Sequence, residues 1–476
     1  MSLRQKVIHG AVWSAVDKWG AQLVSTAIFL LLARILGAEA FGLIALANVF
    51  LAFMQIFLDQ GFAQAIVQQD DLEQAHLDTA FWTSVLTGII FILLTAGGAG
   101  TIATFYGEPT LTPIIRWMSL SFLFSGLSSV QVAILQRNMQ FKVFAARSLF
   151  ATVICGIAGI AAAFMGLGVW SLVVKEIVFG LTGALLLWGA SDWRPGLRFS
   201  PAHFKELFSF GINIIGFNFL NFFNRRSDDM LIGYFLGPVA LGYYSVAYRL
   251  LLVMVGLLTS VTTQVALPTL AQLKKEPARL RSAFYRATKY TGIISFPIFL
   301  GLAMFAPELV RFLFGAEWGP SIPVMQILAF IGLLQSISQF NSTVFLAVGK
   351  PGWRLGIQTI SVVCSLLTFW VVVRWGIVAV ALGFVIRGYL LSPLSILLVE
   401  KLIHISIRKY LVQFQGPLLS VLVMGGAIAF SKYLFSSTLS DFALLAIGVP
   451  IAAIAYLSAM LVFSPGLVRE VKARFT

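Results

Sequence analysis

Charged side chains recur inside stretches of this chain that are otherwise apolar enough to cross a membrane. Asp17, Lys18, Asp59, Lys175, Glu176, Arg225, Arg226, Asp228, Asp229, Arg249 and Arg387 all fall within such stretches. A charge at the bilayer centre costs about 2.5–3.5 kcal/mol on insertion scales, so each needs a partner, water or a task. Guanidinium and ammonium groups sheltered from lipid suit an anionic head group such as phosphate or pyrophosphate. Arginine binds those oxygens bidentately, and lysine binds them as a point charge. Buried carboxylates at similar depth can carry a coupling cation, H+ or Na+.

Helical spacing groups several of these residues. Asn218, Asn221, Arg225 and Asp229 fall within about 80° of one another at 100° per residue. Ser14, Asp17, Lys18, Ala21 and Ser25 form a second stripe, and Asn48, Gln55 and Asp59 a third. A polar stripe on a membrane helix must face protein or water. Matching depth about the two hairpins described below pairs Lys18 with Asp59 and Asp229 with Arg249, while Arg225 can reach Asp229 one turn along its own helix. Such pairs read equally well as structural neutralisation. Lys175, Arg226 and Arg387 have no obvious acidic partner, because Glu176 adjoins Lys175 in sequence but points elsewhere on a helix. The candidate cavity residues are therefore Lys18, Lys175, Arg225, Arg226, Arg249 and Arg387, with the amides Asn218 and Asn221. The candidate ion carriers are Asp17, Asp59, Glu176, Asp228 and Asp229.

Other chemistries lack their signatures. There is no GxxxxGK[ST] phosphate loop, so direct ATP hydrolysis is not expected. His9, His76, His203 and His404 are scattered without HExxH spacing, and Cys155 and Cys364 lie inside apolar runs. No catalytic residue, metal, cofactor or disulfide is expected. The longest loops, at about 136–144, 190–206 and 272–289, are short and basic. That argues against a membrane glycosyl transferase, polymerase or ligase, whose chemistry needs an aqueous domain.

The elements that position these residues follow from composition. Apolar residues make up 59% of the 476 and charged residues 11%, against about 25% charged in soluble proteins. Mean hydropathy is +0.92. Lipid must be the solvent, and the fold class is all-α integral membrane. Fourteen spans are predicted, at about 11–35, 42–67, 79–104, 112–135, 145–165, 168–189, 207–235, 240–271, 290–313, 322–348, 355–373, 376–399, 412–431 and 442–463. The first is read as a spanning helix and not as a cleaved signal.

The net charge of +14 reflects topology and contact with anionic lipid, not nucleic acid. With the amino terminus cytoplasmic, basic residues such as Arg137, Lys142, Arg194, Lys274, Arg279 and Arg408 collect on that side, while the opposite loops hold Arg374 and Lys432. Both termini are then cytoplasmic.

Residues 36–47, LGAEAFGLIALA, repeat as LGPVALGYYSVA at 236–247. Leu36/Leu236, Gly37/Gly237, Ala40/Ala240, Gly42/Gly242 and Ala47/Ala247 are identical pairs. An even number of spans separates the copies, so they share an orientation, as in parallel transporter repeats. The expected plan is two six-helix lobes, 1–205 and 206–410, related by a pseudo-two-fold along the membrane normal around a central cleft, plus a helix pair and tail at 411–476.

The segments AVWSAVDKWG (11–20), LARILGAEAFGLIAL (32–46), DQGFAQAIVQ (59–68), TAFW (79–82), LQRNMQF (135–141) and DDMLIGYFLGPVALGYYSVAYRL (228–250) together carry a resemblance. In order and spacing they resemble the Wzx-type polysaccharide exporters, the colanic acid exporter-like branch of the multidrug/oligosaccharidyl-lipid/polysaccharide exporter superfamily. The likeness covers the first 250 residues well and the remainder only in span pattern. It implies a flippase that moves an undecaprenyl-pyrophosphate-linked oligosaccharide from the cytoplasmic to the periplasmic leaflet of the bacterial inner membrane. It also implies cation coupling, and cleft cations that hold the pyrophosphate or acidic sugars. By position, Lys18 falls in the family's first-helix motif, and Asp228, Asp229 and Arg249 in its seventh- and eighth-helix motif. Partners would be the lipid-linked oligosaccharide, the coupling cation, membrane lipid and a polysaccharide polymerase or glycosyltransferases, around a monomer. A multidrug-type exporter of amphipathic molecules is the alternative.

Overall fold

The computed structural model describes residues 3–58, 62–69 and 72–464, with side chains described outside 3–19, 68, 141, 207, 209–214 and 260–265. Sixteen α-helices follow one another and no strand occurs among the described residues. The first eight are α1 (Leu3–Leu58), α2 (Phe62–Gln68), α3 (Gln74–Tyr106), α4 (Leu111–Met118), α5 (Ser121–Arg137), α6 (Phe141–Phe164), α7 (Trp170–Ala190) and α8 (Pro201–Gln272). The rest are α9 (Pro277–Met304), α10 (Ala306–Leu313), α11 (Ser321–Ala347), α12 (Pro351–Val372), α13 (Ile377–Ile403), α14 (Ile407–Val412), α15 (Gln415–Phe435) and α16 (Asp441–Phe463).

Among the described residues, 12 helical stretches are long and apolar enough to cross a membrane. Two of them are too long for one crossing. Gly20–Leu58 has 39 residues and Ile215–Thr259 has 45, whereas about 20 residues, or 30 Å, cross the hydrocarbon. Each is broken in its middle, at Gly37 (φ 73°, ψ 177°) and Gly237 (φ 81°, ψ 177°). That backbone region is essentially open to glycine alone. Divided there, the twelve stretches become the fourteen spans expected from hydropathy. The largest boundary difference is α9, which starts at Pro277 rather than near 290. Its first turns carry Arg279, Arg281, Arg286 and Lys289, which hydropathy rejects and helical hydrogen bonding does not.

Residues group into two compact units, 1–242 and 243–476. In the first, the two copies of the repeat meet back to back. A Cβ placed on Gly42 would lie 1.7 Å from the Pro238 carbonyl oxygen, and one on Gly242 would lie 1.9 Å from that of Ala38. At an offset of 200, Ala38 and Pro238 are counterparts, so the contact is reciprocal. Residue i of one copy touches j of the other, and j touches i, as across a two-fold axis. The start of α8 is grouped with the first unit. Nearby, Phe222 of α8 packs on Val49 and Ile56 of α1.

In the second unit, the last helix pair shares a core with the helices before it. Met424 and Ile428 of α15 and Tyr456 of α16 belong to one buried cluster with Phe284 and Phe296 of α9 and Phe340 of α11. The Tyr456 hydroxyl donates to the Ile293 carbonyl at 2.7 Å. Two ion pairs bolt the same helices to α10: Lys432 to Glu308 at 2.7 Å and Arg311 to Asp441 at 2.8 Å.

Candidate functional site

In the first unit, the polar stretch of α8 is held just before the Gly237 break. Ser227, Asp228 and Asp229 are buried, Arg226 is half-buried and Arg225 is exposed. Arg226 Nη1 lies 2.9 Å from Asp229 Oδ2. Asp229 is thus paired with Arg226, at three-residue spacing, where four-residue spacing pointed to Arg225. Three-residue spacing puts residues 226 and 229 on one helix face, whereas Arg225 turns outward. Asp228 accepts the Asp229 backbone N–H at 3.0 Å, so its charge is met partly by its own chain. The Tyr106 hydroxyl, at the end of α3, donates to the Met230 carbonyl at 3.5 Å. Asn218 and Asn221 are half-buried on the preceding turns.

Lys175 also finds an acid that sequence spacing had dismissed. Its Nζ contacts Glu176 Oε1. Adjacent residues leave a helix in different directions, but a four-carbon stem can curl back to its neighbour. Gly159 of α6 leaves the room for that stem, since a Cβ there would sit 3.0 Å from Lys175 Cβ.

In the second unit, Arg387 of α13 is set against α12 by hydroxyls and aromatic faces. Its Nη1 donates to the Ser361 carbonyl at 3.2 Å and to the Ser365 hydroxyl, and its guanidinium lies 5.0 Å from the Phe384 ring centroid and 6.0 Å from that of Phe369. Neutral groups thus help to set the orientation of a cation expected to face an open cavity. Arg249, on α8 beyond the hairpin, is exposed. Asp59 and the side chains of Asp17 and Lys18 lie outside the described residues, so the Lys18–Asp59 pair is not described either. The second unit also holds an apolar groove of about 730 Å³, whose lining includes Phe296, Ile337, Leu411, Phe414, Leu418 and the one cation Arg408.

Sequence reasoning passed over three further groups. Asp78 is fully buried at the start of α3 and accepts the Gly196 N–H at 2.9 Å and the Gln74 amide at 3.0 Å. It anchors the α7–α8 connection. His76 and His203, dismissed as scattered, stack with ring centroids 3.8 Å apart. Glu308 is buried and neutralised by Lys432. A carboxylate next to an apolar run was the available signal for Asp78 and Glu308. No local signal joins histidines from different helices.

The family model described as "Polysaccharide biosynthesis protein" matches residues 31–323, which is more than half the chain. The chain belongs to this polysaccharide biosynthesis family. Its matched segment contains the hairpin repeat, Lys175, Glu176 and the whole Arg225–Asp229 cluster. Among its relatives, the teichuronic acid biosynthesis protein TuaB of Bacillus subtilis is 27% identical, over 95% of this chain and 94% of that protein. The lipopolysaccharide biosynthesis protein WzxC of Escherichia coli is 27% identical, over 82% of this chain and 85% of its own length. Among solved structures, the lipid II flippase MurJ in an inward closed conformation superposes with a TM-score of 0.80. That match covers 96% of this chain and 100% of MurJ at 17% identity, a likeness of fold.

Proposed function

We propose that this chain is a secondary transporter that flips an undecaprenyl-pyrophosphate-linked oligosaccharide across the bacterial inner membrane, from the cytoplasmic to the periplasmic leaflet. The product serves exopolysaccharide or lipopolysaccharide assembly. The observation that carries the reading is the end-to-end similarity to polysaccharide assembly proteins in a chain whose described residues are almost entirely membrane helix. Such a chain offers a route for cargo and little aqueous surface for bond-making.

The embedded charges support the same reading. Arg226 and Lys175 present cationic groups in membrane helices, each poised on an acid that a pyrophosphate oxygen can displace. Arg387 is oriented in advance, which lowers the entropy lost on binding an anion. The apolar groove, with Arg408 in its lining, suits a polyprenyl chain ending in a phosphate. Asp228 and Asp229, buried beside the Gly237 break, are the strongest candidates for binding the coupling H+ or Na+. The basic bias of one set of loops supports cytoplasmic termini.

The test is a chromosomal deletion with extraction of lipid-linked intermediates. The mutant accumulates complete repeat units accessible only from the cytoplasmic side, and the intact gene restores export. A mutant with normal export that is merely sensitive to amphipathic drugs would overturn the reading in favour of a multidrug-type exporter.

A further inference from the structure

We propose that Glu73, His76 and His203 form a binding site for a divalent transition metal of the zinc class, joining the start of α3 to the start of α8. One ligand atom from each of the three lies within 4.8 Å of the others. The two imidazoles are stacked at 3.8 Å and 30°. His203 Nδ1 is enclosed and makes no hydrogen bond, an arrangement that asks for a proton, a water or an ion.

The hydrogen bonds around His76 fix which nitrogen is offered. Nδ1 accepts the Glu73 backbone N–H at 3.2 Å in a reciprocal cap of α3. Nε2 therefore carries the proton and faces Glu206 Oε2 at 3.5 Å. Glu206 is itself held by the Gln69 amide at 2.8 Å, and that hydrogen bond is the leading reason its carboxyl sits below the ordinary range. A carboxylate that holds one imidazole N–H while the other nitrogen binds metal is the recurrent arrangement around histidine ligands. Metal at His76 Nδ1 exchanges the capping hydrogen bond for a coordinate bond and leaves the Glu206 contact intact. His203 Nδ1 and the exposed Glu73 carboxylate complete three protein ligands, and water takes the fourth position. Tetrahedral zinc places such donors about 2.0–2.2 Å from the ion, so the three must close slightly, which side-chain rotation allows. Two imidazoles with one carboxylate suit zinc, cobalt or nickel and disfavour magnesium and calcium, which take all-oxygen sites.

The place in the fold gives the ion a task. The connection between α7 and α8 is already fastened to α3 through Trp82 Nε1 to the Gly196 carbonyl at 2.8 Å and the Ser200 N–H to Thr79 Oγ1 at 3.1 Å. A metal at His76 and His203 adds a reversible staple to this junction.

The experiment uses the full chain, purified in detergent with its affinity tag cleaved and stripped with EDTA. Titration with Zn2+ is followed by calorimetry and thermal unfolding, and Co2+ is added separately to read the visible bands of tetrahedral coordination. The expected result is saturable uptake of one ion, a raised melting temperature, and no response to Mg2+. His203→Gln keeps the size and polarity of the position and should weaken zinc binding by at least about tenfold. Glu206→Gln should weaken it less. Unsaturable zinc uptake by the unmodified chain, or unchanged zinc affinity in His203→Gln, overturns the proposal. The unmodified chain decides alone if the variant does not accumulate.

Discussion

The two copies of the repeat share a backbone device and differ in what they bury beside it. Gly37 and Gly237 adopt nearly the same dihedral angles, and Gly42 and Gly242 make the same close approach to the opposite copy. Nine and eight residues before each break the chemistry diverges. Ile28 and Phe29 are 8% and 5% exposed, and their counterparts Asp228 and Asp229 are 3% and 5% exposed. The burial is alike and the chemistry opposite. The first copy fills these positions with apolar side chains, whereas in the second the carboxylates are met by Arg226 and a backbone N–H. One turn earlier the divergence repeats. Thr26 closes its hydroxyl on the Gln22 carbonyl at 2.7 Å, whereas Arg226, its counterpart, reaches Asp229.

Four measurements test this contrast. The largest effect belongs to the shared frame. Gly42→Ala or Gly242→Ala drives a methyl into a backbone carbonyl, which no side-chain rotation relieves, and costs about 3 kcal/mol, the top of the usual overpacking range. Neither variant should yield a monodisperse peak in detergent chromatography. Gly37→Ala meets open space and suffers only its dihedral strain, about 1–3 kcal/mol, so it should accumulate with a lowered melting temperature. Equal behaviour of Gly37→Ala and Gly42→Ala would remove the close approach as the reason for the glycine.

Next comes a transplant. Phe29→Asp puts an unpaired carboxylate into the first copy at a cost of about 2.5–3.5 kcal/mol on insertion scales. Adding Thr26→Arg should recover part of the lost melting temperature, because residues three apart on a helix can pair. If the second change recovers nothing, the copies are not equivalent frames.

Smaller again is Asp229→Ala, expected to cost about 1–2 kcal/mol, since Arg226 is half-exposed and can turn to water. Arg226→Ala with Asp229→Ala should cost less than the sum of the single changes in thermal unfolding. Export should be lost in Asp229→Asn even where the fold survives. Full export by Asp229→Asn would dissociate the buried acid from the transport cycle.

The smallest effect is at Glu206. Its carboxyl pKa is lowered, first by the hydrogen bond from Gln69, so it favours the folded state above the unfolded carboxyl pKa of about 4.3. That contribution fades as pH falls through the lower folded value. Glu206→Gln should flatten the melting-temperature profile slightly between pH 5 and pH 3, about the carboxyl range, and leave it parallel above.

Hydropathy alone located the spans, because each must present an unbroken apolar run to lipid and no tertiary contact can substitute for one. The hairpin repeat was legible for a similar reason, since a backbone that breaks at positive φ writes glycine into the sequence. Partner choice was not legible in the same way. Lys175 takes its neighbour because its stem is flexible, Arg226 wins Asp229 from Arg225 through a difference of one residue in helical phase, and Arg387 is met by Ser365 and Phe384 from sequence positions that periodicity does not connect to it.

That lipid is the solvent, and where the chain crosses it, could be read in one dimension, since both are properties of composition and run length. Tertiary structure alone decided that His76 meets His203, that Asp78 anchors the α7–α8 connection, and that the two glycine hairpins clasp each other. Each depends on the approach of segments more than a hundred residues apart. That approach is set by the sum of many weak packing contacts, and no single local pattern in the chain encodes it.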